Sequence, residues 1–283
     1  MRALFLQQTG DPPILEVRDV PIPKPAPHQV LVRVTACGFC HHDRSVMAGI
    51  LRRGVAPNVV LGHEISGVVE EIGNQVRSLH PRDHVASILT EACGRCDRCK
   101  TGREHRCRNG HGIGHGRDGG FAEYVVLTEQ SLVKLPEGSD TVSSAILACP
   151  LGVALQAVQV TAKVEPEETV VVTGAGGGLG SHAVQAAAIM GANVLAVTSS
   201  PEKEPALLGL GASQVLVKSE MDFADLVMAL TEDKGADVVI DPVGSTLFPS
   251  TLRSLAQYGR LVFLGEIAGE NITFNPVEVI FRD

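Results

Sequence analysis

Four of the seven cysteines in this 283-residue chain, Cys93, Cys96, Cys99 and Cys107, fall at C-x2-C-x2-C-x7-C inside ACGRCDRCKTGREHRC. Short spacers let neighbouring sulfurs converge without strain, so four thiolates spaced this way suit one tetrahedral zinc ion. Gly94 and Gly102 relax the backbone within the loop. With every coordination position filled by protein, such a site folds a lobe, over about residues 91–109, and does no chemistry. An iron–sulfur cluster is the rival occupant, and disulfides are the weaker alternative in a reducing compartment.

A second set is dispersed: Cys40 in GFCHHD, His63 in LGHE and Cys149 in LACPLG. Only folding can gather two sulfurs and an imidazole from such distant positions. If gathered, they leave one coordination position open for a reacting group. Taken singly, each reads as a structural residue: a small buried sulfur, or a histidine satisfied by the core.

The third feature is VVVTGAGGGLGSHAVQ, which sets Gly174, Gly176, Gly177, Gly178 and Gly180, with Leu179 among them, between a strand and a helix. Glycines there let the backbone turn tightly and approach a pyrophosphate, whose charge is favoured at a helix N-terminus. The strand that follows ends in AVTSSPEK. Enzymes that take NAD usually carry an acid at this place to accept from the adenosine ribose. Thr198, Ser199, Ser200 and Lys203 instead offer donors that suit a 2′-phosphate, so NADP(H) is expected over NAD(H). Lys203 is flanked by Glu202 and Glu204, and a solvated surface lysine is the plain alternative.

The elements that must position these groups change character near residue 150. Before it, short alternating segments such as VLVRVT (30–35) and VVEEI (68–72) are broken by Pro and Gly, as in an antiparallel β-rich domain. The stretch DVPIPKPAPHQ cannot sustain a helix and reads as an extended connector. From about residue 165, strands VVVT (170–173), VLAVT (194–198), VLV (215–217), DVVID (237–241) and RLVFLG (260–265) alternate with helical stretches. Those stretches are Leu179 to Met190, PEKEPALLGL, FADLVMAL and one ending in SLAQY. This rhythm predicts a doubly wound parallel sheet. A six-stranded version needs one more helix and strand, expected from about Phe281 onward, so the chain reads as C-terminally incomplete.

At this length two domains are expected, 1–155 and 156–283. A net charge of −8 argues against nucleic acid or an anionic membrane as the main partner. No uninterrupted apolar run reaches the roughly 18–20 residues of a spanning helix, and the N-terminus lacks secretory features. A cytoplasmic setting follows, where thiols stay reduced and clustered cysteines favour metal.

The ordered motifs GFCHHD, LGHEISG, the cysteine lobe, DGGFAEY, LACPLG and the glycine turn resemble the zinc-containing medium-chain alcohol dehydrogenases across essentially the whole chain. Zinc-free quinone reductases and enoyl-CoA reductases share that superfamily. The resemblance implies a GroES-like catalytic domain followed by a Rossmann domain, with the active site in the cleft between them. It matches Cys40, His63 and Cys149 to the catalytic zinc ligands, Glu64 to a glutamate that approaches the metal during ligand exchange, and Asp43 to the carboxylate that orients the ligand histidine. Cys93, Cys96, Cys99 and Cys107 match the structural zinc set, giving two zinc ions per chain. Alignment with the family favours Cys40 over the nearby Cys37.

Two positions depart from the family. A Ser or Thr that starts a proton relay usually stands where this chain has His42, and a histidine often ends that relay where it has Ser45. His42 either exchanges the proton, directly or through water, or only lines the pocket. The expected activity is hydride transfer between NADP(H) and an alcohol, aldehyde or ketone, a small-molecule substrate. The alternatives are NADPH-dependent reduction of an enoyl-CoA or quinone, and a shortened, weakly active zinc- and nucleotide-binding protein. Family members are commonly dimers or tetramers, so the resemblance implies a homodimer or homotetramer.

Overall fold

The computed structural model describes residues 1–217 and 222–280. It divides into two compact units, Met1–Cys149 and Pro150–Asp283.

The first unit contains β1 (Arg2–Gln8), β2 (Ile14–Asp19), β3 (Gln29–Gly38), helix α1 (His41–Met47), β4 (Val59–Val60), β5 (Glu64–Ile72), β6 (His84–Ser87), β7 (Thr90–Glu91), β8 (His111–Gly112), β9 (Tyr124–Thr128) and β10 (Leu132–Lys134). Its main sheet runs β10-β6-β5-β3-β9 with antiparallel pairing throughout. Val30, Val32, Ile65, Val69, Val85, Val125 and Leu127 close one core, which fixes the register because a one-residue slip would turn them all to the other face. Strand β5 starts earlier than the sequence reading placed it, since Ile65 and Glu64 still pair with Cys37 and Gly38 of β3. That extension brings the LGHE motif to the mouth of the sheet. The proline-rich residues 20–28 form neither helix nor strand, as expected.

A helical run, Ser143–Thr161, follows, with α2 (Val153–Leu155) as its α-helical centre. Its turns widen to π geometry over Leu147–Gly152, where Pro150 lacks the N–H that an α-helical turn would use. By length and composition this run is apolar enough to cross a bilayer, which the sequence reading did not anticipate. Its apolar side has another explanation: Ala154, Ala157, Val158 and Ala162 belong to the core of the second unit.

The second unit alternates β11 (Thr169–Val172), α3 (Gly178–Ile189), β12 (Asn193–Thr198), α4 (Glu204–Gly209), β13 (Gln214–Val217), α5 (Phe223–Leu230), β14 (Ala236–Asp241), α6 (Phe248–Arg253) and β15 (Leu255–Phe263). The sheet is parallel, ordered β13-β12-β11-β14-β15. Val170 and Val172 enter one hydrophobic cluster and Val171 the other, so β11 is covered on both faces, which a parallel sheet requires. Each such valine contributes roughly 1.5–3 kcal/mol of burial.

One expectation fails. SLAQY does not end a helix: α6 stops at Arg253, and Leu255 already pairs with Ala236 of β14. Burial of Leu255 in the sheet core overrides the helical pattern. A short turn, α7 (Val277–Ile280), follows β15, and the helix expected from about Phe281 lies outside the described residues.

Candidate active site

Cys40 is the residue that caps α1, in extended conformation before the first helical turn. Asp43, three residues on, reaches back so that its Oδ2 accepts the Cys40 amide at 2.9 Å. Its other oxygen, Oδ1, takes the Gly62 amide at 3.3 Å and stands 3.2 Å from His63 Nδ1. This fully buried carboxylate therefore fixes both the helix start and the imidazole. By holding Nδ1–H it leaves Nε2 as the free donor atom of His63. Gly62 makes the approach to His63 feasible. Its φ is +91°, and a Cβ would lie 2.7 Å from the Cys37 sulfur and from the Phe121 ring.

Cys149, on the widened π turn, brings its sulfur to 3.7 Å from that of Cys40. The ligand atoms of Cys40, His63, Glu64 and Cys149 all lie within 4.8 Å of one another. Sulfurs held 2.3 Å from a zinc ion at tetrahedral angles are about 3.8 Å apart, so the Cys40–Cys149 separation fits a shared zinc. A disulfide would need about 2.05 Å, and all seven cysteines are free.

The charges of these donors are strongly coupled. A hydrogen bond from Cys149, and then contacts with His63, draw the Cys40 thiol down to about 4 despite burial. Cys149 is pushed up by that same shared bond and by burial. Burial opposes charge on His63, yet its bonds to Asp43 and Cys40 carry it up to about 10. Glu64 is raised, first by burial and then by the Cys40 charge. Two close sulfurs and an imidazole thus compete for protons, and a divalent ion bound among them would displace those protons.

His42 lies beside this group, its ring edge-on to His63 at a centroid distance of 5.0 Å. Burial, then the nearby His63, lowers its pKa to about 4, so it is neutral. Its Nε2 is 3.2 Å from Nδ1 of His115, a residue that the sequence reading did not single out. The only signal for His115 was its place in GHGIGHGRDGG, just before the DGGFAEY motif, and no spacing rule marks it. Ser45 uses its carbonyl to accept the Ile50 and Leu51 amides. Cys37 joins neither donor group, and burial pushes its thiol up to about 12.

The cysteine lobe is built differently. Cys93, Cys96, Cys99 and Cys107 also keep their sulfurs within 4.8 Å of one another. Cys96 is 3.5 Å from Cys99 and 3.8 Å from Cys107, again near the tetrahedral spacing of about 3.8 Å. Two short turns, Cys99–Thr101 and Glu104–Arg106, shape the loop. Arg108 clamps it by a two-pronged pair with Asp97, at 2.7 and 2.9 Å.

In the second unit the glycine turn joins β11 to α3. Gly180 is required by close approach, since a Cβ there would lie 2.3 Å from the Gly174 carbonyl oxygen. The first-turn amides of α3, from Gly178, Leu179 and Gly180, have no partner within an α-helix and suit an anion. Thr198 is buried at the end of β12, where its Oγ1 accepts the Ser200 amide at 3.2 Å, while Ser199 is exposed. Lys203 lies over the turn and donates from Nζ to the Gly176 carbonyl at 2.8 Å. It is exposed, yet tethered to the turn rather than freely solvated.

Comparison with known proteins agrees with this architecture. Residues 26–137 match the alcohol dehydrogenase GroES-like domain, and residues 178–283 match the zinc-binding dehydrogenase domain. The NAD-dependent alcohol dehydrogenase of Sulfurisphaera tokodaii is 36% identical over 298 residues, covering 99% of this chain and 84% of that protein. The acryloyl-coenzyme A reductase of Metallosphaera sedula is 37% identical over 252 residues, covering 89% of this chain and 73% of the relative. The crystal structure of a zinc-binding dehydrogenase from Sinorhizobium meliloti 1021 bound to NADP is 34% identical. It superposes with a TM-score of 0.89, covering 99% of this chain and 81% of the other. The chain belongs to the zinc-type medium-chain dehydrogenase/reductase family, a GroES-like domain followed by a Rossmann domain, and is an oxidoreductase.

Proposed function

We propose that this protein is a zinc-dependent oxidoreductase that moves a hydride between NADP(H) and a small alcohol, aldehyde or ketone. The observation that carries this reading is the convergence of Cys40, His63, Glu64 and Cys149, with Asp43 fixing His63 from behind. In this reading Cys40, His63 and Cys149 hold one zinc ion, with Glu64 as an exchanging fourth donor, and Cys93, Cys96, Cys99 and Cys107 hold a second. The catalytic ion supplies Lewis acidity, favouring alkoxide in oxidation and polarising a carbonyl in reduction.

The remaining work falls to the protein. Asp43 keeps the Nδ1 proton of His63, leaving Nε2 as the ring atom that would hold the ion. The amides of Gly178, Leu179 and Gly180 take the pyrophosphate, and Gly174, Gly176 and Gly177 let it approach. Thr198, Ser199, Ser200 and Lys203 take a 2′-phosphate, with Lys203 exchanging its bond to the Gly176 carbonyl for one to the ligand. The absence of an acidic residue at positions 198–201 supports NADP over NAD. His42 handles the proton that accompanies hydride transfer at its ring nitrogens. Zinc held by thiolates requires reduced cysteines, so a cytoplasmic setting suits this reading.

Zinc analysis paired with a substrate screen tests it. The reading expects about two zinc ions per chain. It also expects aldehyde reduction with NADPH to be at least about tenfold more efficient than with NADH, or about 1.4 kcal/mol. A Cys40→Ser protein that kept both its zinc content and its aldehyde reduction would end the proposal.

One observation favours a second reading, reduction of an activated double bond in an enoyl-CoA or quinone. His42, bonded to His115, stands where alcohol dehydrogenases carry a relay hydroxyl. The 37% identity to an acryloyl-coenzyme A reductase supports the same view. Parallel assays with crotonyl-CoA, a quinone and an aldehyde separate the two, and a strong aldehyde preference removes the enoyl reading.

A further inference from the structure

The imidazole of His42 is not free to choose its orientation. Its Nε2 lies 3.2 Å from Nδ1 of His115, with ring centroids 4.8 Å apart and planes tilted by 53°. A contact of that length between two ring nitrogens needs one hydrogen and one lone pair, so the two rings must hold complementary tautomers. If Nε2 of His42 carries the hydrogen, its Nδ1 is an acceptor; if Nδ1 of His115 carries it, Nδ1 of His42 is a donor. Either way, what His42 offers at its second nitrogen is tied to the tautomer that His115 holds.

The segment that carries His115 is itself held in place beside His42. The Gly116 amide bonds back to the Gly112 carbonyl at 2.8 Å, and the Ala56 amide donates to the His115 carbonyl at 2.7 Å. The ring lies directly over Gly112, where a Cβ would come within 1.8 Å of it. The same turn packs on the backbone before His63, since a Cβ on Gly114 would be 2.7 Å from Gly62. The His115 ring is therefore registered against the peptide that presents a proposed metal ligand.

We propose that His115 is a positioning residue: through its Nδ1 bond it fixes the ring orientation and tautomer of His42 beside the Cys40–His63–Cys149 donor group. The inference rests on the hydride-transfer reading for its kinetic consequence only; the tautomer claim stands or falls without it.

Long-range 1H–15N correlation spectra of the histidine rings in the zinc-loaded full chain test it directly. The wild-type His42 ring is expected in one tautomer, with one protonated and one bare nitrogen well resolved. His115→Ala should mix the two tautomers, whereas His115→Asn, whose amide retains a hydrogen-bonding atom nearby, should restore a single one. In steady-state assays His115→Ala should lower kcat by about tenfold or more, with KM changed less than about twofold and zinc content kept. His115→Asn should recover most of that loss. Tautomer exchange at His42 in the wild-type protein, or an unchanged His42 spectrum in His115→Ala, would overturn the proposal, and neither depends on turnover. Loss of zinc in both variants would overturn it too, by assigning His115 a structural role. A wild-type protein that turns over no substrate would instead count against the hydride-transfer reading, and the spectra would still decide the tautomer.

Discussion

The two donor groups of the first unit use the same chemistry and opposite construction. The lobe draws four sulfurs from 15 consecutive residues on a polar, largely exposed loop clamped by the Arg108–Asp97 pair. The other group draws Cys40 from a helix cap, His63 from the mouth of a strand and Cys149 from a widened turn 109 residues after Cys40, around the buried Asp43. A local loop needs only short spacers and leaves no coordination position free. A dispersed set depends on the packing of three elements, and it can keep one side available for a reacting molecule. Proximity in sequence suits a fold-stabilising ion, and assembly at a distance suits a working one.

The sharpest way to break this contrast is to remove one ligand from each group. Cys40→Ser should cut kcat/KM for aldehyde reduction by about 1000-fold or more, about 4 kcal/mol. Metal analysis should show zinc falling from about two to about one per chain, with circular dichroism unchanged. Cys96→Ser should do the reverse. It should lose one zinc and lower the melting temperature measurably, because the free energy of binding a structural metal is part of the folding free energy. Protein that stays folded should retain its activity. A Cys96→Ser protein with normal thermal stability would erase the distinction between the two groups.

Smaller changes sharpen it. Asp43→Asn keeps the shape but removes the charge that holds His63, so zinc affinity of the dispersed group should drop by about 10- to 100-fold. Competition with a chelator followed by metal analysis reads this, and zinc in the lobe should be unaffected. If Lys203 takes the 2′-phosphate as proposed, Lys203→Glu should raise KM for NADPH by about tenfold or more and change that for NADH much less. At the small end, Arg108→Ala removes an exposed pair, worth about 0.2–1 kcal/mol at most. A shift of only a few degrees in melting temperature is expected.

Much of this was legible from residues alone where the information is local. The C-x2-C-x2-C-x7-C spacing places four sulfurs together under almost any loop conformation. Likewise, the TVVV run of β11 and the glycines after it mark a buried strand and a tight turn whatever surrounds them. The misread SLAQY segment shows the limit: its pattern suits a helix, but the partner at Ala236 makes it a strand. The apolar run Ser143–Thr161 shows it again, since its alanines and valines face a core that composition alone does not reveal.

Residue order therefore determined the two-part architecture, the lobe, the nucleotide turn and, through resemblance to a family, which distant residues to suspect. The tertiary structure agreed that Cys37 stays outside the donor group, and it alone decided that Asp43 serves Cys40 and His63 at once and that His115 reaches His42 from 73 positions away. The physical reason is that such contacts depend on backbone turns and on space left by Gly62 and Gly112, and neither has a spacing in the chain.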